Sequence, residues 1–105
     1  MNTKIVLADN HKIVRDGLRC LFSNVPGMEV IGETGDGRAV LQLVRELSPN
    51  VVVMDISMPN LNGIEATRQI TAEYPHVKVI ALSMHSHRRF VFEMLKAGAS
   101  GYLLK

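Results

Sequence analysis

One cysteine in 105 residues leaves nothing for an internal disulfide, and no Cys-x-x-Cys pair exists. Cys20 reads as a partly buried helix residue. No apolar run approaches the ~20 residues needed to cross a bilayer. The first nine residues have neither the apolar segment nor the small-residue cleavage site of a secretory signal. The cytoplasm, without membrane contact, is the expected compartment. Charge of one sign is lacking too: 12 basic side chains stand against 10 acidic ones, a net of +2. That is too weak for a nucleic-acid footprint. The one basic cluster, His85, His87, Arg88 and Arg89, reads as a solvated helix start. His11, His76, His85 and His87 show no metal-ligand spacing with cysteines. Repeats, linkers and low-complexity stretches are missing, so the chain reads as one small domain.

What is present is a regular alternation of short apolar runs with longer helical ones. "KIVLAD" (4–9) is a buried strand. Residues 11–25 place Val14, Gly17, Leu18, Leu21, Phe22 and Val25 along one helical stripe. "PG" at 26–27 marks a turn, and "MEVIGET" (28–34) alternates as an edge strand does. "GDGRAV" opens a second helix with Val40, Leu43, Val44 and Leu47 on one face. "GETGDG" (32–37) lacks the spacing of a dinucleotide loop and any Lys-Ser/Thr, so it is a strand-to-helix turn. Pro49 stops the second helix, because proline has no amide hydrogen and disfavours helix in the residue before it. "VVVMD" (51–55) is continuous and β-branched, as in a central strand buried on both faces. Gly63, Thr67, Ile70 and Tyr74 give the next stripe. "VKVIALS" (77–83) is a fourth strand, residues 88–98 a fourth helix with Val91, Met94, Leu95 and Gly98 aligned, and "SGYLLK" (100–105) a fifth strand. Five strands alternating with four helices predict a parallel sheet covered on both faces.

The strands end in Asp9, Asp55, Ser83 and Lys105. In a parallel sheet these ends share one edge, the usual ligand crevice of an open α/β fold, and Asn10 adjoins it. One polar residue at a strand end is explained by a wet loop; two acids, a hydroxyl and an amine together ask for more. Neighbouring carboxylates repel, so they share a proton or hold a cation. An oxygen-only donor set suits a hard ion such as Mg²⁺. A lysine and a hydroxyl beside it would receive a tetrahedral anion. Asp55, anchored by its buried run, is then a carboxylate able to accept a phosphoryl group. Pro59 would stiffen the loop that follows, and Gly63 would permit a tight helix entry.

"LADNH", "VVVMDISMPNLNG", "ALSMH" and "AGASGYLLK", in that order and spacing, resemble the receiver domain of two-component response regulators over essentially the whole chain. "LSMH" with "KAGASGYLLK" is most similar to the NarL/FixJ (LuxR-type) subfamily. The resemblance implies a flavodoxin-like, doubly wound, five-stranded parallel sheet of order 2-1-3-4-5. It implies that Asp55 is the phosphoacceptor, served by a sensor histidine kinase. Asp9, Asn10, Asp55 and the Ser57 backbone carbonyl would hold Mg²⁺. Ser83 and Lys105 would contact the phosphoryl group, and Tyr102 would be the switch aromatic that turns inward when Ser83 moves.

Two departures from the family matter. Asn10 stands where a second acid is usual, which predicts weakened Mg²⁺ affinity. The family's fifth helix and the subfamily's helix-turn-helix domain would follow Lys105, so residues 1–105 read as a receiver domain truncated before that helix. A homodimer partner or another chain is then expected over the exposed sheet face, and DNA would be met only through the absent domain. The expected function is a phosphorylation-controlled switch in transcription, not an enzyme beyond self-phosphorylation and slow self-dephosphorylation. One alternative is a phosphorylation-independent docking or dimerisation module, for which Asn10 speaks. The other is a Mg²⁺-dependent phosphohydrolase, disfavoured because Ser57 occupies the usual general-acid position. Ser57, Met84 and His85 are candidates to control water at the site. Phe90, Phe92 and Tyr102 are candidates for a partly exposed aromatic interface.

Overall fold

The computed structural model describes residues 2–56, 58, 61–83 and 88–104, with only the backbone of 83, 88–91 and 104. Five strands and four helices alternate: β1 (Thr3–Ala8), α1 (Lys12–Ser23), β2 (Met28–Thr34), α2 (Gly37–Leu47), β3 (Val51–Asp55), α3 (Gly63–Glu73), β4 (Lys78–Ser83), α4 (Arg88–Lys96) and β5 (Gly101–Leu104). The strands form one sheet of order β2-β1-β3-β4-β5, and every neighbouring pair is parallel. Both the element order and the sheet order are those expected.

Strand alternation divides the core into two layers. On one face Val6 and Ala8 of β1, Val52 and Met54 of β3, and Val79 and Ala81 of β4 meet Val40 and Val44 of α2, Ala66 and Ile70 of α3, and Met94 of α4. On the other face Ile5, Leu7, Val53 and Leu82 meet Val14, Leu18 and Phe22 of α1. The second layer is thinner. No residue of α1 is fully buried, and Leu103 of β5 is 50% exposed.

Capping fixes where α2 and α3 begin. Asp36 accepts a hydrogen bond from the Arg38 amide (2.7 Å) at the start of α2. Asn62 does the same for the Glu65 amide (2.9 Å) at the start of α3. Each satisfies an amide that the helix itself cannot. Ser48, in the left-handed region at φ 48°, closes α2 immediately before Pro49.

Several expected core positions lie outside the core. Gly17, Leu21 and Val25 of the first stripe are exposed, as are Leu95 and Gly98 of the fourth. Cys20 is exposed as well. A helical period shows which side of a helix faces inward, and the breadth of the buried strip depends on what the helix lies against. Phe92 and Tyr102 are exposed, while the side chain of Phe90 lies outside the described ones. Among the described residues, no helix is long and apolar enough to cross a membrane.

Candidate functional site

Sheet register builds the site. Ala8 of β1 pairs with Met54 of β3, so Asp9 and Asp55 are the next residues along two adjacent strands. Both carboxylates therefore leave the sheet at the same carboxyl-terminal edge and on the face that carries α1. They are deeply placed: Asp9 is 1% exposed and Asp55 4%. Their neighbours hold them there. The Asp9 amide donates to the Thr34 carbonyl of β2 (3.0 Å), and the Ile56 amide donates to the Leu82 carbonyl of β4 (3.2 Å).

The start of α3 lies against the end of β3. The Gly63 amide donates to the Ile56 carbonyl (2.8 Å), drawing the start of α3 onto the end of β3. A Cβ on Gly63 would sit 2.0 Å from the Asp55 carbonyl oxygen. Glycine is required here for close approach of backbone to backbone.

A third group joins the carboxylates. Asp9 Oδ1 accepts from the His11 amide (2.7 Å) and lies 3.1 Å from His11 Nδ1. One ligand atom from each of Asp9, His11 and Asp55 falls in a set whose members all lie within 4.8 Å of one another. Such a donor set fits a divalent cation. Two buried carboxylates repel unless positive charge is placed between them, and carboxylate oxygens suit a hard ion. His11 adds a nitrogen donor, acceptable to borderline ions as well. His11 thus stands beside the expected oxygen donors as a further candidate. The imidazole stands two residues past Asp9, a proximity that a search for paired cysteine and histidine spacings does not test.

Other expected site residues are only partly placed. Asn10 follows Asp9 and is exposed. The Ser83 backbone ends β4, paired with Leu104, and its side chain is outside those described. Ser57, Pro59, Met84, His85 and Lys105 lie outside the described residues. Tyr102, on β5 opposite Ala81, is exposed.

Behind the acidic edge lies an ion-pair network absent from the sequence reading. Glu33 of β2 receives Arg15 Nε on Oε1 (3.2 Å) and Arg19 Nε on Oε2 (2.9 Å). The Arg19 hydrogen bond is the largest influence holding the Glu33 carboxyl below its ordinary value, with Arg15 adding to it and burial opposing.

Comparison with known proteins agrees with this geometry. Residues 5–105 match the family model described as the response regulator receiver domain. The chain is 44% identical over 102 residues to the transcriptional regulatory protein DegU of Brevibacillus brevis, covering 97% of this chain and 43% of DegU. It is 37% identical over 102 residues to the response regulator GacA of Pseudomonas syringae, covering 97% and 48%. It thus spans less than half the length of these relatives. Among solved structures, a LuxR-family two-component response regulator from Aurantimonas superposes with a TM-score of 0.93 at 39% identity, over 100% of this chain and 75% of that one. The isolated receiver domain of RcsB from Salmonella enterica, solved with the phosphomimetic BeF3⁻, gives 0.92 at 28% identity, over 100% and 78%. With sheet order, acidic edge and sequence relatives in agreement, the chain belongs to the response regulator receiver domain family.

Proposed function

We propose that this receiver accepts a phosphoryl group on Asp55 from the phosphohistidine of a sensor histidine kinase. A carboxylate oxygen of Asp55 bonds to phosphorus as the phosphorus–nitrogen bond breaks, and the kinase imidazole departs. Asp9, Asn10, Asp55 and the Ser57 carbonyl would hold Mg²⁺, which when bound supplies positive charge for the phosphoryl oxygens. Ser83 and Lys105 contact those oxygens in the phosphorylated state, and Tyr102 follows Ser83 inward. Phosphorylation is then a population shift toward the state in which these contacts form. Slow hydrolysis resets the switch.

The observation that carries this reading is the pairing of Asp9 with Asp55, buried side by side at the end of adjacent strands. Family membership supports the wider role: transcriptional output through a helix-turn-helix domain in a longer cytoplasmic protein, for which residues 1–105 are the receiver unit. The half-exposed Leu103 supports a covering segment or second copy on that sheet face. Analytical ultracentrifugation tests the second copy.

Beryllofluoride with Mg²⁺ tests the switch. Large NMR shifts at Ser83 and Tyr102 are expected. Absence of binding would favour a docking module instead, and rapid turnover of a small phosphoester would favour a phosphohydrolase.

A further inference from the structure

We propose that Arg15, oriented by Glu33, is a positioning residue that sets the Asp9–Asn10 turn for cation binding. The inference rests on the reading of Asp9 as a ligand of the divalent ion.

The register places Glu33 opposite Leu7, on the face of the sheet that carries α1. Arg15 and Arg19 are four residues apart and so share one side of that helix. Glu33 divides its oxygens between them, Oε1 to Arg15 and Oε2 to Arg19. Fixed in this way, the Arg15 guanidinium turns its remaining arm to the edge of the sheet, where Nη1 donates to the Asp9 carbonyl oxygen. Arg15 is only 16% exposed and Glu33 26%. The arrangement is sheltered, unlike the solvated pairs Lys12–Asp16 and Arg68–Glu65.

The consequence falls on one peptide. The Asp9 amide is held by the Thr34 carbonyl and the Asp9 carbonyl by Arg15. Both ends of the residue are thereby pinned, and its carboxylate and the next residue, Asn10, inherit that orientation. The turn before α2 backs the same contact. A Cβ on Gly35 would lie 3.1 Å from Arg15 Nη1, 3.3 Å from Asn10 Cα and 3.4 Å from the Asp9 carbonyl oxygen. A planar fork is needed to reach Glu33 and the carbonyl together. Lysine supplies a point charge and cannot make both contacts in this geometry.

Charge and position make opposite predictions. A cation behind the site repels Mg²⁺, so an arginine acting only through charge would weaken metal binding, and its removal would tighten it. An arginine acting by position has the reverse effect: its removal weakens binding. Outer hydrogen-bond partners of metal ligands are worth about 10–100-fold in affinity.

The test is calorimetric titration of Mg²⁺ alone into the parent chain, Arg15→Met, Arg15→Lys and Gly35→Ala. Thermal melting confirms folding, and the amide resonances of Asp9 and Asn10 are followed in the metal-free proteins. Arg15→Met and Arg15→Lys are each expected to lose about tenfold in Mg²⁺ affinity, with displaced Asp9 and Asn10 resonances. Gly35→Ala is expected to weaken binding without any change of charge. If Arg15→Met does not fold, Arg15→Lys and Gly35→Ala decide. Unchanged or tighter binding in the folded arginine variants overturns the inference while leaving the receiver reading intact. Failure of the parent itself to bind Mg²⁺ overturns both.

Discussion

Gly63→Ala probes the geometry that holds Asp55 in place. The added Cβ would lie 2.0 Å from the Asp55 carbonyl oxygen and 2.9 Å from Ile56 Cα. Real Cβ atoms essentially never come within 3.0 Å of such neighbours, so the α3 entry and the end of β3 must separate by about 1 Å. Both obstructing atoms belong to backbone, which cannot swing aside as a flexible side chain does. Overpacking of a dense interior costs about 1–3 kcal/mol, and this site belongs at the upper end. About 3 kcal/mol is a large share of a total near 5–15 kcal/mol. The 2.8 Å bond from the Gly63 amide to the Ile56 carbonyl should be strained as well. Urea denaturation of the two proteins at matched conditions reads the stability loss. Beryllofluoride binding with Mg²⁺ reads displacement of the carboxylate. A variant within 0.5 kcal/mol of the parent, the ordinary range for a neutral surface change, with equal beryllofluoride affinity, would refute the reasoning.

Three smaller perturbations address the rest of the site. Asn10→Asp restores a second negative charge beside Asp9 and should tighten Mg²⁺ binding; an unchanged affinity in a calorimetric titration would remove Asn10 from the ligand set. His11→Ala should reduce affinity for Co²⁺ more than for Mg²⁺, because imidazole favours the borderline ion; equal losses in parallel titrations would place His11 outside the donor set. Glu33 has a depressed carboxyl pKa, below the ordinary value of 4.5, chiefly through Arg19. In the window below that value the unfolded chain binds the proton more readily, so stability rises with pH there. The gain should be complete above the ordinary value and lost as pH falls through the folded-state value. Urea midpoints of parent and Glu33→Gln from pH 3 to 7 read it as a difference of about 1 kcal/mol at most, and a gap that persists in acid would contradict it.

The fold was legible where one local signal dominated. The β-branched run Val51 to Val53 describes a central strand correctly, because burial on two faces dictates composition. Met28–Thr34 is an edge strand as read, but its burial does not alternate, since Val30 and Ile31 pack against opposite layers. The pairing of Asp9 with Asp55 followed from the same logic, since parallel strands bring their carboxyl ends to one edge. The order of the strands came through the family resemblance, because periodicity alone does not say which strands neighbour each other. Helix α1 marks a different limit. Val14, Leu18 and Phe22 pack inward, but Leu21 and Val25, from the same stripe, are exposed. Hydrophobic spacing records direction and carries no measure of how much surface lies opposite. The Arg15–Glu33 contact joins residues 18 apart in sequence on a helix and a strand, and it exists only once register turns Glu33 toward α1. His11 is brought beside Asp9 by its place two residues after a strand-end acid, a proximity that cysteine spacing does not test.

Phosphoryl transfer to one named carboxylate is the claim on which the functional account stands. Incubating the chain with an acyl phosphate and Mg²⁺, followed by intact and peptide mass spectrometry, tests it most directly. The account predicts a mass gain of one phosphoryl group on the peptide containing Asp55, dependent on Mg²⁺ and absent from Asp55→Asn. Labelling at another residue, or undiminished labelling of Asp55→Asn, would contradict it.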